Sequence, residues 1–235
     1  MFMNLLLLSS SRAHNSEYLA PGINAINETL GNIRNVLFIP FAGVRVNYDD
    51  YLSMVQNALK PLGIAVQSIH QFDDPALAVE QAQAVMVGGG NTFALLAKLY
   101  QFKLIEPIKH KVANGMPYIG WSAGSNIAGL SIRTTNDMPI IEPPSFQALA
   151  LLPVQLNPHY TDFVPEGFHG ETRDMRLAEF MEVAPNTPII GLPEGTALRL
   201  INGQLSYEGN ENGYVFLGGT KTAITPAENL TRLLG

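Results

Sequence analysis

The chain has 235 residues, 46% hydrophobic and 14% charged, and its 14 basic and 20 acidic side chains give a formal net charge of −6. This length fits one large domain or two small ones, the apolar content excludes global disorder, and an acidic chain without a basic run argues against a nucleic-acid partner. The sequence contains no cysteine, which excludes disulfides, zinc sites with cysteine ligands, iron–sulfur clusters and a thiol nucleophile.

The N-terminal segment contains a run of four leucines, residues 5–8. It lacks the basic region and the small-residue cleavage site of a signal peptide, so we interpret residues 4–9 as a buried first strand. No apolar stretch is as long as the segment of about 20 residues that is needed to span a bilayer. These features predict a cytoplasmic protein without a membrane segment.

The first half of the chain alternates short apolar runs with longer helical patterns. The runs predict buried strands at residues 4–9, 36–40, 64–69, 84–87 and 118–120. The patterns between them predict helices at residues 48–59, 75–83, 92–100 and 104–114. This alternation is typical of parallel strands joined by right-handed crossovers, and it predicts an α/β fold with a doubly wound, mostly parallel sheet.

The second half is less regular. Five prolines between residues 139 and 158 predict an extended, loop-rich region there. A helix is predicted at residues 171–183, and short strands at 189–191, 197–201, 204–206 and 214–217. Asn202-Gly203 predicts a tight type I′ hairpin near the C-terminus, at the periphery of the sheet. We found no linker or repeat, so we expect a single domain over residues 1–235.

The strongest chemical motif is Gly120-Trp121-Ser122-Ala123-Gly124, which fits the nucleophile-elbow pattern G-x-S-x-G. It follows a predicted strand and precedes a plausible helix, the context that the pattern requires. Small residues on both sides allow a strained turn that lifts the serine hydroxyl above the sheet edge. Ser122 is therefore the candidate nucleophile, and an ordinary glycine-flanked turn is the alternative.

A serine nucleophile needs a base and an acid that orients the base. Among the five histidines, His159 follows a rigid Asn-Pro segment and is favoured over His169, which lies in a glycine-flanked loop. Asp137 falls between serine and histidine in chain order, as in α/β hydrolases. Glu194, in a stiff loop after a predicted strand, is the rival acid. Either carboxylate can instead be a turn-forming residue.

Three glycines at residues 88–90 follow a predicted strand and precede a helix. Bare backbone N–H groups at such a position can hold an anion. The sequence lacks the P-loop lysine and the dinucleotide-binding spacing. The remaining interpretations are an oxyanion hole, formed by Gly89 and Gly90 together with Ala123, and a tight turn without chemistry.

Several sequence blocks together resemble a serine peptidase family with two kinds of member. One is peptidase E, which is an α-aspartyl dipeptidase, and the other is cyanophycinase. The blocks are NVLFIPFAG (35–43), VGGGNTF (87–93), YIGWSAG (118–124), IRTTNDMPI (132–140), NPH (157–159), GETR (170–173) and GLPEG (191–195). They extend over nearly the whole chain. Ser125 departs from the family pattern, where alanine is expected after Gly-Trp-Ser-Ala-Gly.

The resemblance implies a sheet similar to that of the class I glutamine amidotransferases (flavodoxin-like), with serine where those enzymes have cysteine. It implies hydrolysis of dipeptides with an N-terminal aspartate by Ser122, His159 and either Asp137 or Glu194, without a metal or organic cofactor. Arg173, with Arg133 as second candidate, would bind the substrate carboxylate. We expect a monomer or small homo-oligomer that acts on a small dipeptide. A cyanophycinase-like peptidase, an esterase and a non-catalytic binding module are the alternatives.

Overall fold

A seven-stranded sheet forms the centre of the computed structural model, which describes residues 3–235; residues 1 and 2 of the predicted domain lie outside that range. Its strands, in spatial order, are β3 (Ala65–Ser68), β2 (Asn35–Ile39), β4 (Val85–Val87), β5 (Tyr118–Trp121), β1 (Leu5–Leu8), β8 (Ala197–Ile201) and β9 (Gln204–Glu208). The first five are parallel, and β8 and β9 are antiparallel to their neighbours. The predicted α/β sheet is confirmed.

Seven helices accompany the sheet in the described part of the chain. They are α1 (Ile23–Leu30), α2 (Tyr48–Leu59), α3 (Pro75–Gln81), α4 (Thr92–Gln101), α5 (Ile105–Ala113), the single turn α6 (Ala123–Asn126) and α7 (Arg173–Val183). Side-chain caps explain four of the starts: Asn47, Asp74, Asn91 and Thr172 each accept a hydrogen bond from a backbone N–H of the first turn. No helix among residues 3–235 has the length and apolar character needed to cross a membrane.

Burial on both faces of β1 explains its continuous leucine run. Leu5 and Leu7 belong to one hydrophobic core, and Leu6 and Leu8 belong to another on the opposite face. Successive side chains of a strand point to opposite faces, so a strand covered on both sides needs apolar residues at every position. The sheet is doubly wound at this strand, as the sequence predicts.

A second sheet of four strands packs beside the first. Its order is β11 (Thr220–Ile224), β10 (Gly213–Leu217), β7 (Ile189–Leu192) and β6 (Gln155–Pro158). Ile190 and Leu192 of β7 lie in the same core as Leu5 and Leu7 of β1, so the two sheets share one apolar interior. This continuity supports the expectation of one domain.

The structure contains three elements that the sequence analysis did not predict. Helix α1 has no side-chain cap, since Gly22 precedes it, and at eight residues it gives a weak periodic pattern. Strand β6 lies inside the segment expected to be loop-rich, and it accommodates proline because Pro158 is its last residue. Strand β11, with mostly exposed side chains, lacks an apolar signature.

The predicted hairpin is confirmed between β8 and β9. Asn202 and Gly203 have φ angles of 52° and 77°, the left-handed pair that a type I′ turn requires. The hairpin pairs directly with β1, so it extends the main sheet at one edge. A second hairpin, β10–β11, forms an edge of the smaller sheet.

Candidate active site

Ser122 occupies a strained turn between β5 and α6. Its backbone has φ 54° and ψ −115°, a region that residues with a side chain rarely adopt. Its N–H donates to Leu8 O at 3.1 Å, and its carbonyl accepts from the N–H groups of Ser125 and Asn126 at 3.0 and 2.9 Å. These bonds on both sides hold the turn and present the hydroxyl at the carboxyl edge of the sheet.

The two glycines of the motif allow close backbone contacts that no other residue permits. A Cβ on Gly120 would lie 2.4 Å from Gly124 O, and a Cβ on Gly124 would lie 2.1 Å from Val87 O. Real Cβ atoms do not approach oxygen so closely. The elbow therefore depends on both glycines, as the motif predicts.

His159 lies directly against the serine. Its Nε2 is 3.0 Å from Ser122 Oγ, a hydrogen-bond distance suited to proton transfer. His159 follows β6 with a φ of 53°, and its N–H donates to Ser9 Oγ at 2.9 Å. The other candidate base, His169, lies in an exposed loop.

The carboxylate beside His159 is Glu194, the alternative acid, and not Asp137, which chain order favours. His159 Nδ1 lies 2.7 Å from Glu194 Oε1. The paired strands β6 and β7 explain this contact. Pro158 is opposite Leu192, His159 directly follows β6, and Glu194 lies two residues after the end of β7.

Asp137 has a different environment. Its Oδ2 accepts hydrogen bonds from the Thr92 N–H at 2.7 Å and the Thr92 hydroxyl at 2.6 Å, and lies 3.3 Å from the Thr135 hydroxyl. These contacts tie the carboxylate to the start of α4. Every hydrogen bond that this carboxylate accepts within residues 3–235 involves Oδ2.

Ser9 is a supporting residue that the sequence analysis missed. Its fully buried hydroxyl accepts from the His159 N–H and donates to Leu192 O at 2.7 Å. It thereby joins the end of β1 to the segments that carry His159 and Glu194. Ser9 belongs to no motif, and the only available signal was a run of three serines, residues 9–11, directly after an apolar strand.

Ser125, the departure from the family pattern, is also fully buried. Its hydroxyl donates to Leu8 O at 2.6 Å. The extra polar group is therefore satisfied, and it points away from the reactive hydroxyl of Ser122 toward the backbone of β1.

The glycine loop lies against the elbow. A Cβ on Gly89 would be 2.9 Å from Ser122 Cβ, and the Gly89 carbonyl accepts from the Tyr51 hydroxyl at 2.9 Å. The N–H groups of Gly89, Gly90 and Ala123 donate to no acceptor within residues 3–235. This arrangement leaves three donors free around the serine, as an oxyanion hole needs.

A small polar cavity of about 190 Å³ adjoins the serine and contains Arg173. Ser122, His159, Asp137 and Ala123 also line it. Arg173 is half-buried, at the start of α7, and its guanidinium lies 3.4 Å from Asn157 Oδ1. Burial lowers the pKa of Arg173, as does the charge of neighbouring Arg176. An arginine side chain nevertheless stays protonated in proteins, so the group is a cation.

Arg133, the second candidate for the substrate carboxylate, lies elsewhere. Its guanidinium stacks 4.9 Å above the Phe180 ring and donates to Ser131 Oγ at 3.1 Å. It lines a separate cavity that does not include Ser122. Of the two predicted arginines, Arg173 lines a cavity together with Ser122, and Arg133 does not.

The sequence model of peptidase family S51 matches residues 5–207. The proteins named peptidase E from Shewanella denitrificans and Shewanella amazonensis are 54% and 49% identical to the chain, over 93% and 100% of both sequences.

Two solved structures share the fold. A candidate peptidase E protein from Listeria monocytogenes EGD-e superposes with a TM-score of 0.67 at 24% identity, covering 90% of this chain and all of that one. A peptidase from an acI-B1 actinobacterium superposes with a TM-score of 0.69 at 17% identity, covering 97% of each chain.

Proposed function

Because the chain belongs to peptidase family S51, we propose that it is a serine dipeptidase that hydrolyses dipeptides with an N-terminal aspartate. The observation that carries the proposal is the continuous contact from Glu194 through His159 to Ser122, at 2.7 and 3.0 Å. It ends at a small cavity that contains a half-buried arginine. The relatives named peptidase E support the same activity.

The first step forms an acyl-enzyme. His159 Nε2 takes the hydroxyl proton as Ser122 Oγ attacks the peptide carbonyl carbon. The negative charge that develops on the carbonyl oxygen is stabilised by the free N–H groups of Ala123 and of Gly89 or Gly90. The C–N bond then breaks, and His159 gives its proton to the leaving amine.

The second step regenerates the enzyme. Water replaces the departed amino acid, His159 takes one of its protons, and the resulting oxygen nucleophile attacks the ester carbonyl. Collapse of the second tetrahedral intermediate returns the proton to Ser122 and releases aspartate. Glu194 fixes the ring orientation of His159 and stabilises its charged form in both steps.

Two side chains of opposite charge in the small cavity, Arg173 and Asp137, bind the N-terminal aspartate of the substrate. Arg173 pairs with the side-chain carboxylate of the aspartate, and its planar, two-pronged guanidinium favours a carboxylate over an amide. Asp137 pairs through its free Oδ1 with the α-ammonium group, which every dipeptide carries on the α-carbon next to the scissile carbonyl. Asp137 is thus a binding residue in this proposal, and Glu194 is the acid of the triad.

A purified Ser122→Ala variant tests the function. The wild-type chain should hydrolyse Asp-Leu and prefer it to Asn-Leu and to a tripeptide that begins with aspartate. It should also prefer Asp-Leu to β-linked Asp-Arg, which is the linkage that a cyanophycinase-like peptidase would cleave. The variant should lose hydrolysis and labelling by a fluorophosphonate probe while keeping its circular dichroism spectrum. Cleavage of Asp-Leu by the variant would refute the assigned nucleophile.

The sequence-based expectations of a cytoplasmic location and of a monomer or small homo-oligomer stay predictions. Size-exclusion chromatography with light scattering measures the second of them directly.

A further inference from the structure

Ser122 and His159 also border a second, larger cavity of about 710 Å³. Among the described residues, Ser122 and His159 are the only two that line both this cavity and the cavity that contains Arg173. Its walls are largely apolar, and the side chains that face it include Tyr18, Val44, Val46, Met54, Trp121 and Ile140.

The reaction itself divides the substrate between two cavities. The scissile carbonyl carbon carries the acyl residue on one side and the leaving nitrogen on the other. That nitrogen must approach His159 Nε2 to receive its proton, so the leaving residue must lie in a space that both Ser122 and His159 border. The Arg173 cavity takes the aspartate in the proposed function, which leaves the larger cavity for the leaving residue.

A third cavity near His159 does not meet this condition. It is lined by Glu194, Asp162, Glu211 and other polar residues, and Ser122 is not part of it. It borders the Glu194 side of the imidazole. A residue bound there would lie beyond the reach of the scissile bond.

We propose that the larger cavity is the leaving-residue site, that it selects large apolar side chains, and that Arg45 at this site binds the free α-carboxylate of the dipeptide. The proposal rests on the proposed function. Leucine, methionine or phenylalanine side chains would be removed from water there, whereas a basic side chain would lose hydration without gaining an acidic partner, since no Asp or Glu among the described residues lines this cavity.

Arg45 explains how the enzyme would distinguish a dipeptide from a longer chain. It is exposed, and it is the only lysine or arginine among the described residues that line this cavity. In a dipeptide the leaving residue ends in a carboxylate, and a guanidinium pairs well with that group. A third residue would replace this charge by an amide and extend past it.

The apolar selection is tested by the ratio of kcat/KM for Asp-Leu to that for Asp-Lys. Met54 is 39% exposed on α2, and Leu77 is 50% exposed on α3, away from the cavity. We expect the wild type to prefer Asp-Leu about tenfold or more, Met54→Glu to reduce this ratio about tenfold, and the matched control Leu77→Glu to leave it unchanged. Val44→Glu, in a loop at a residue 57% exposed, provides a second variant if Met54→Glu fails to fold.

The carboxylate contact is tested with Asp-Leu and its C-terminal amide. The wild type should prefer Asp-Leu to the amide. The Arg45→Gln variant should have a KM for Asp-Leu about tenfold higher than that of the wild type, and an unchanged KM for the amide. Undiminished preference for the free carboxylate in Arg45→Gln would overturn the role of Arg45.

The outcomes separate the two levels of the proposal. An active wild-type enzyme with equal kcat/KM for Asp-Leu and Asp-Lys, or a ratio that neither Met54→Glu nor Val44→Glu changes, overturns the leaving-residue site alone. A wild type that hydrolyses no Asp-X dipeptide overturns the proposed function, and this assignment with it.

Discussion

Ser122 and His159 both have positive φ angles, 54° and 53°. Such conformations cost about 1–3 kcal/mol each and persist only where the surroundings hold them. Here the holding contacts are visible: the Ser122 N–H is bonded to Leu8, and the His159 N–H is bonded to Ser9. Both residues whose side chains must meet are therefore held in strained backbone conformations.

The two carboxylates can be distinguished by which kinetic constant each controls. Glu194→Gln should lower kcat about 100-fold or more, because an amide does not stabilise the imidazolium form of His159. Asp137→Asn should chiefly raise KM, about tenfold or more, because it removes a charge from the proposed ammonium site. Steady-state kinetics on Asp-Leu measure both, with Glu80→Gln on the surface of α3 as control.

The opposite pattern would restore the choice that chain order favours. If Asp137→Asn reduced kcat strongly and Glu194→Gln left it near the wild-type value, Asp137 would be the acid of the triad.

At the scale of elements, an ionic cluster fastens α7 to the second sheet. Lys221 on β11 lies 2.9 Å from Asp174 on α7 and 3.3 Å from Asp162 in the loop after β6. Its ammonium also sits 4.1 Å from the centre of the Tyr214 ring on β10. Because α7 begins at Arg173, this cluster supports the helix end that carries the proposed substrate-binding arginine.

The cluster predicts a specific acid dependence of stability. Partial burial raises the pKa of Asp162, but hydrogen bonds from Tyr214 and Lys221, with the charge of Lys221, outweigh it and lower the pKa below the ordinary value. A lowered folded-state pKa means that the stabilisation is complete above the ordinary value of about 4 and is lost as the pH falls through the lower folded-state value.

The Asp162→Asn variant should therefore have a lower Tm than the wild type near pH 6. This difference in Tm should disappear as the pH falls below about 4. Thermal unfolding followed by circular dichroism between pH 2 and 7 measures it, and Asp73→Asn at an exposed loop position serves as the control. A Tm deficit that is the same at every pH would contradict the role of the Asp162 charge.

At the scale of the whole molecule, the site lies where the two sheets meet. Ser122 follows a strand of the larger sheet, and His159 and Glu194 follow strands of the smaller one. Ser9, directly after β1 of the larger sheet, bonds through its hydroxyl to His159 and Leu192 at the ends of β6 and β7 in the smaller sheet. The geometry of the triad therefore depends on how the sheets are joined.

Ser9→Ala should consequently lower kcat on Asp-Leu about tenfold or more and destabilise the fold by about 1–3 kcal/mol, because it leaves a buried N–H without its acceptor. Ser125→Ala is the matched control: it removes another fully buried hydroxyl bonded to the backbone and should retain kcat. Both proteins should unfold in one transition by urea titration, since the sheets share a core. Equal kcat losses in the two variants would show that Ser9 has no special influence on His159.

Local patterns in the sequence were sufficient for much of the architecture and for part of the site. The leucine run of β1, the helical patterns at residues 48–59 and 75–83, and the Asn202-Gly203 turn predict elements that are confirmed, because each signal acts within a few residues. The elbow motif predicts the strained turn at Ser122 for the same reason. Strand β6 escaped prediction because its proline-bounded residues gain their strand conformation from pairing with β7.

The identity of the carboxylate beside His159 was decided only by the tertiary structure. Chain order favoured Asp137, and local sequence could not choose, since both acids follow plausible turns. The pairing of Pro158 with Leu192 brings together residues 159 and 194, and no spacing along the chain encodes that register. Local sequence thus specifies which side chains can perform the chemistry, whereas long-range strand pairing determines which of them meet.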